Sequence, residues 1–214
     1  MKFVAGDKTD IELCHVLSHE YYRCDDAFKQ FCFYAQRMVL QGQSREISYR
    51  AYNAYADFIH HLYEFYLGCH ARDNKNTNIT NKKGAERTLI IEGYIMFHAQ
   101  RILNGYRDAI REGRAPEWVN DISYYDVTVP TSFANDFREY RNKVCGHVAY
   151  ERSSQLSLSQ FYKKYHKFLY LLYSDAMRWW GSKGEAFPDL KEITDFTVML
   201  EEERMQLKAL RTTG

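Results

Sequence analysis

Residues 132–152 read SFANDFREYRNKVCGHVAYER, and the spacing inside this stretch decides how the chain is read. At about 100° per residue, Phe133, Phe137, Tyr140, Val144 and Val148 fall on one narrow apolar stripe of a helix. Arg141 lies about 60° to one side of the stripe and His147 about 60° to the other, their Cα atoms roughly 10 Å apart. Both polar groups therefore border a buried seam, and a straight helix does not aim them at a common atom. Either Gly146 loosens the helix or a second copy of the chain completes the arrangement.

Outward from this stretch the pattern stays helical. Downstream, a Ser157-x-x-Gln160 capping box opens a helix carrying Leu158, Phe161, Tyr165, Phe168, Leu172, Ala176 and Trp179, with Gly181 as its stop. A last helix, from about Pro188 to Leu210, holds the Glu201-Glu202-Glu203-Arg204 run and is expected to be an appendage or a dimer arm. Upstream, Arg114–Pro130 holds two prolines and no helical period, so a long ordered loop with at most a short helical or extended piece is expected there. Loops of this length often border a site. Before it, a helix from about Ala85 to Glu112 stops at Gly113; its apolar residues are densest from Leu89 to Phe97, and this helix is expected to be the most buried element. A first helix is expected from a Thr9-x-x-Glu12 capping box to Gly42, with Leu13, Val16, Leu17, Cys24, Phe28, Phe31 and Val39 at helical spacing. A second follows Ser44 as N-cap and ends in the Asp73–Asn78 tract.

Composition agrees with an all-α chain: 18 Tyr and 13 Phe supply packing mass, while only 3 Pro and 11 Gly interrupt helices in 214 residues. The organisation expected is a helical bundle over residues 1–182 with a helical extension over 183–214 packed on it. A net charge of +1, from 29 basic and 28 acidic residues, gives no global attraction to nucleic acid, so any such binding must be local. The five cysteines, Cys14, Cys24, Cys32, Cys69 and Cys145, are odd in number and lack C-x-x-C spacing, which points to packed thiols in a reducing compartment. No leader-like or membrane-spanning run occurs, so a cytoplasmic chain is expected.

The Arg141-x5-His147 spacing, with Asn142 directly after the arginine and a long aromatic helix following, resembles the R-x(4–6)-H signature of the HEPN superfamily. The resemblance covers about 50 residues, Ser132 to Trp180, and implies an antiparallel helical bundle that dimerises so that two motifs face one another. Many HEPN proteins are ribonucleases, toxins of toxin–antitoxin pairs or phage-defence effectors. Carried over, His147 is the general acid/base, Arg141 stabilises the phosphate and Asn142 orients the site. Apart from the resemblance, the nearby cations Arg138, Lys143 and Arg152 are read either as guides for an RNA backbone or as plain solvated charge of a helix surface. The implied reaction uses no metal and no cofactor: the RNA 2′-hydroxyl attacks its own phosphodiester, which DNA cannot do. The implied partners are RNA, a second copy of the chain and, in toxin systems, an antitoxin. The HEPN toxins paired with nucleotidyltransferase antitoxins usually carry Tyr two positions after the His, whereas Tyr150 stands three positions after His147, which argues against that subfamily.

Other readings remain open at this point. The same residues in a non-catalytic HEPN-like bundle make a nucleotide- or protein-binding module, with Arg141 in a surface ion pair and His147 capping a helix end. Glu12-x-x-His15 and Asp57-x-x-His60 suggest an incomplete di-metal carboxylate bundle. His15 and His19, one turn apart, are placed to bind a metal adventitiously, while His60-His61 beside Glu64 reads as a satisfied bundle-edge pair. Glu92, inside an apolar run, needs a cationic partner, for which Arg101 or Arg141 is expected. Cys145 and His147 point to different helix faces and do not form a nucleophile pair. Gly-rich phosphate loops, G-x-S-x-G elbows and H-E-x-x-H elements are all missing, which excludes the usual nucleotide hydrolases, esterases and zinc proteases.

Overall fold

A computed structural model of the chain describes residues 1–81, 84–146, 157–180 and 191–212. The chain divides into two compact units, Met1–Gly184 and Glu185–Gly214. The first unit contains α1 (Lys8–Gln41), α2 (Arg45–Asp73), a 3-10 turn (Thr77–Asn81), α3 (Gly84–Arg111), the short α4 (Ile122–Tyr125), α5 (Phe133–Tyr140) and α6 (Leu158–Trp180). The second contains α7 (Lys191–Thr212), whose apolar residues Ile193, Phe196, Val198 and Met205 are exposed and point around the helix rather than along one stripe. The fold is all-α: among the described residues there is no strand, only an isolated bridge between Lys2 and Asn76. No helix among them is long and apolar enough to cross a membrane.

Local chemistry explains the helix ends. Gly42, at φ +84°, ends α1 where an L side chain is strained, and Ser44 two residues later caps α2 by accepting from the Ile47 amide at 3.1 Å. Ser157 likewise accepts from the Gln160 amide ahead of α6, and α3 gives way at Gly113. The first helix departs from expectation. Its cap is Asp7, which accepts from the Asp10 amide at 2.9 Å, so α1 starts before the Thr9-x-x-Glu12 box and Glu12 instead faces Lys8 one turn back. A carboxylate outcompetes the threonine hydroxyl because it also accepts from the Val4 amide, fixing the entering chain.

The α1–α2 hairpin is antiparallel, as the ring contacts Tyr21–Phe65, Phe28–Phe58 and Phe31–Tyr55 record in descending register. Along α6, His166, Tyr173 and Trp180 meet Tyr55, Phe58 and Phe65 in ascending register, so α6 runs parallel to α2. α5 packs antiparallel on α6 through Phe133–Phe168 and Tyr140–Phe161. Helices α1, α3, α5 and α6 all touch α2, whose Phe58, Ile59 and Leu62 are fully buried. Here the expectation for α3 is overturned: Leu89 and Phe97 are 76% and 64% exposed, and α2 is the most buried helix. An apolar run too wide for one stripe leaves part of itself outside when only one face of the helix is covered. Val16 and Val39 of α1 are exposed for the same reason. Of the cysteines, Cys24 is buried, Cys14 and Cys69 are half-buried and Cys32 is exposed, all as free thiols; the side chain of Cys145 is outside the described set.

Two consequences can be measured. Phe58 is enclosed by Phe28, Tyr55 and Tyr173, so Phe58→Ala is expected to cost about 3–5 kcal/mol in urea unfolding; a loss under about 1 kcal/mol contradicts the packing described. Burial also lowers the proton affinity of His19, His60, His70, His98 and His166 below the ordinary value of 6.5. The unfolded chain therefore binds more protons than the folded one once the pH drops below 6.5, and the urea midpoint is expected to fall as pH is lowered from 7.5 to 5.5. A midpoint that stays level or rises contradicts it.

Candidate active site

The site is built where α5 changes character. Phe133, Phe137, Tyr140 and Val144 are all buried, as the apolar stripe requires, while Val148 lies outside the described residues. Ser132 places the helix start: its hydroxyl bonds the Tyr165 hydroxyl at 2.7 Å, and that tyrosine donates to Asp136. At the other end the Tyr140 hydroxyl donates to the Ser157 carbonyl at 2.7 Å, tying the helix to the start of α6. From Arg141 to Gly146 the backbone is a π-helix rather than an α-helix. The rotation of about 100° per residue thus holds only to Tyr140, and the loosening begins at Arg141 rather than at Gly146. Single π turns of this kind are uncommon and frequently occur at functional positions.

Arg141 is the first residue of that turn. Its guanidinium forms an ion pair with Glu64 of α2, donates to Asn142 Oδ1 at 2.7 Å, and lies 5.8 Å from the centre of the Tyr63 ring. Tyr63 is itself locked edge-on against Phe137. Only a quarter of the Arg141 and Glu64 side chains is exposed, so the pair is no plain surface bridge; it is partly withdrawn from water, where its charges interact more strongly. Arg141 Nε is buried with no hydrogen-bond partner among the described residues.

Arg141, Glu64 and His60 line one side of a cavity of about 380 Å³ whose other wall is α1, with Glu20 and Arg23 at its polar end. His60 Nδ1 is also buried and unpartnered among the described residues. Burial, then the neighbouring His61 and Arg141, hold His60 below its ordinary proton affinity, which favours the neutral, proton-accepting imidazole. His61 is held by Glu20, its Nδ1 2.6 Å from the carboxylate. The structure therefore brings Arg141 and Asn142 together with three α2 residues, His60, Tyr63 and Glu64. Their signal in the sequence was faint: His60 and Glu64 are one helical turn apart, but nothing in the pattern assigns that turn to Arg141.

The remaining expected residues divide. His147 and Arg152 lie outside the described residues. Arg138 donates to Glu92 Oε1 at 2.9 Å and to Asn135, so Arg138, rather than Arg101 or Arg141, answers the carboxylate of α3. Lys143 pairs with Glu139 one turn back at 2.8 Å. Arg101 turns to Asp175 instead. Among the described residues no three His, Cys, Asp or Glu side chains converge as a metal ion needs, and the Glu12-x-x-His15 and Asp57-x-x-His60 pairs do not meet in such a group.

The Glu64–Arg141 pair is open to a double-mutant cycle. Glu64→Ala and Arg141→Ala are expected to couple by about 0.5–3 kcal/mol in unfolding free energy; additivity within about 0.3 kcal/mol contradicts the contact. No family model, no curated protein and no solved structure matches this chain.

Proposed function

We propose that the chain is a metal-independent endoribonuclease of HEPN-like architecture, acting in the cytoplasm as a toxin or phage-defence effector. The observation that carries this reading is Arg141: a guanidinium set on a π turn, oriented by Glu64 and Asn142, beside a cavity that also contains a neutral histidine. A fixed guanidinium suits a phosphodiester whose charge grows in the transition state, because an oriented charge pays no reorganisation cost at that moment.

In the proposed reaction the RNA 2′-oxygen bonds to the adjacent phosphorus as the bond from phosphorus to the 5′-oxygen breaks. The products are a 2′,3′-cyclic phosphate and a free 5′-hydroxyl. One proton leaves the 2′-hydroxyl and one arrives on the 5′-oxygen. His147, by the resemblance of the Arg141-x5-His147 segment to the HEPN signature, carries one of these transfers. His60 is a second group of suitable protonation state in the same cavity as Arg141. A homodimer that faces two such segments across one RNA strand supplies the paired arrangement of that superfamily, with Arg138, Lys143 and Arg152 along the backbone path; an antitoxin or other regulatory protein is the corresponding partner in cells.

The test is cleavage of total RNA and purified tRNA in EDTA by the wild type and by Arg141→Ala and His147→Ala proteins of matched helicity. Each substitution is expected to lower the rate at least about 100-fold. Absence of cleavage by the wild type, or equal cleavage by all three proteins, overturns the proposal.

A further inference from the structure

A second cleft, sharing no lining residue with the first, opens between α3, the loop that follows it and α6. Its volume is about 580 Å³, in the range of small-molecule sites, which run to roughly 300–1,000 Å³. Three guanidiniums line it, those of Arg101, Arg114 and Arg178, against one lining carboxylate, Asp175. The loop is the one whose length and two prolines marked it in the sequence.

Each cation is placed by a specific contact. Arg178 donates to the Tyr106 hydroxyl with its guanidinium 5.3 Å from that ring, and Tyr106 is stacked on Tyr125 at 4.6 Å and 14°. Arg101 is steadied by Asp175 at 3.3 Å and by His98 at 3.2 Å. Among the described residues Arg114 pairs with Glu112, two residues away on the exposed rim, a contact of the kind that contributes little and exchanges readily. The carbonyl end of α3, which repels anions, is covered: the amides of Gly113, Arg114 and Ala115 all donate back to it.

The fourth element is Trp118. A turn closed by the Val119 amide and the Pro116 carbonyl, 3.0 Å apart, holds it beside the cleft with 73% of its surface exposed. A flat indole face next to excess guanidinium charge matches a ligand that is flat and aromatic at one end and anionic at the other. We infer that this cleft binds a nucleotide, its base on Trp118 and its phosphate among Arg101, Arg114 and Arg178. The same chemistry is offered by a free nucleoside phosphate and by one nucleotide of a single strand.

This inference does not rest on the ribonuclease reading and is tested apart from it, by titrating the full chain at low salt with AMP, with inorganic phosphate and, in the Arg141→Ala background so that cleavage cannot consume it, with a pentaribonucleotide. Binding is read by calorimetry. Saturable binding of AMP or of the pentamer is expected, weakened at least fivefold by Trp118→Leu and by Arg114→Gln. Both side chains are largely exposed, so folding is not at stake. Pentamer binding without AMP binding identifies the strand as the source; AMP binding identifies the free nucleotide as sufficient. Binding of neither, affinity unchanged in Trp118→Leu, or inorganic phosphate binding as tightly as AMP overturns the inference.

Discussion

The burial of α2 is the constraint from which the rest of the first unit follows. Its aromatic and aliphatic side chains, Tyr55 through Tyr66, cannot be covered by one neighbour, so α1, α3, α5 and α6 assemble around it. Apolar burial is non-directional and selects the surrounding, not the detail. Detail comes from the polar residues that α2 cannot avoid carrying into that surrounding. Glu64 and His61 each demand a partner, and the partners, Arg141 and Glu20, come from different helices. The ion pair that orients Arg141 is thus a by-product of enclosing α2, and it fixes the guanidinium without a dedicated loop.

The helical class, the Gly42 and Gly113 stops, the Ser44 and Ser157 caps and the stripe from Phe133 to Val144 were legible in the sequence because each rests on local spacing. The failures were also physical. Thr9 lost to Asp7 because a carboxylate reaches two amides where a hydroxyl reaches one. Leu89 and Phe97 look like core in a hydropathy pattern, but whether an apolar residue is covered depends on how many helices arrive, which periodicity does not report. The π turn at Arg141 was visible only as a conflict, a helix that could not converge its two polar residues. Glu64 was named beside the His60-His61 pair, yet its meeting with Arg141 spans 77 residues of sequence (141 less 64) and no local rule predicts it.

The two clefts divide the polar chemistry of the unit. Around Arg141, Arg23 and Arg141 stand against Glu20 and Glu64, and burial ahead of any neighbouring charge lowers the proton affinity of His60. Around Trp118, cations exceed the lining carboxylate and an aromatic face is left open. In the proposed reading the first cleft takes a phosphodiester, and the second, with an excess of cations and an exposed ring, holds a nucleotide. A chain with net charge of only +1 therefore concentrates its positive character locally.

The central claim is that Arg141 serves a reaction begun by a ribose 2′-hydroxyl. It is tested most directly by offering the protein, in EDTA, a ribo-oligonucleotide that it cuts at a mapped bond and the same strand carrying a single 2′-deoxy sugar on the 5′ side of that bond. The account predicts a 2′,3′-cyclic phosphate terminus from the first and an intact bond in the second. Scission of the deoxy-substituted bond, or products ending in a 5′-phosphate, contradicts it.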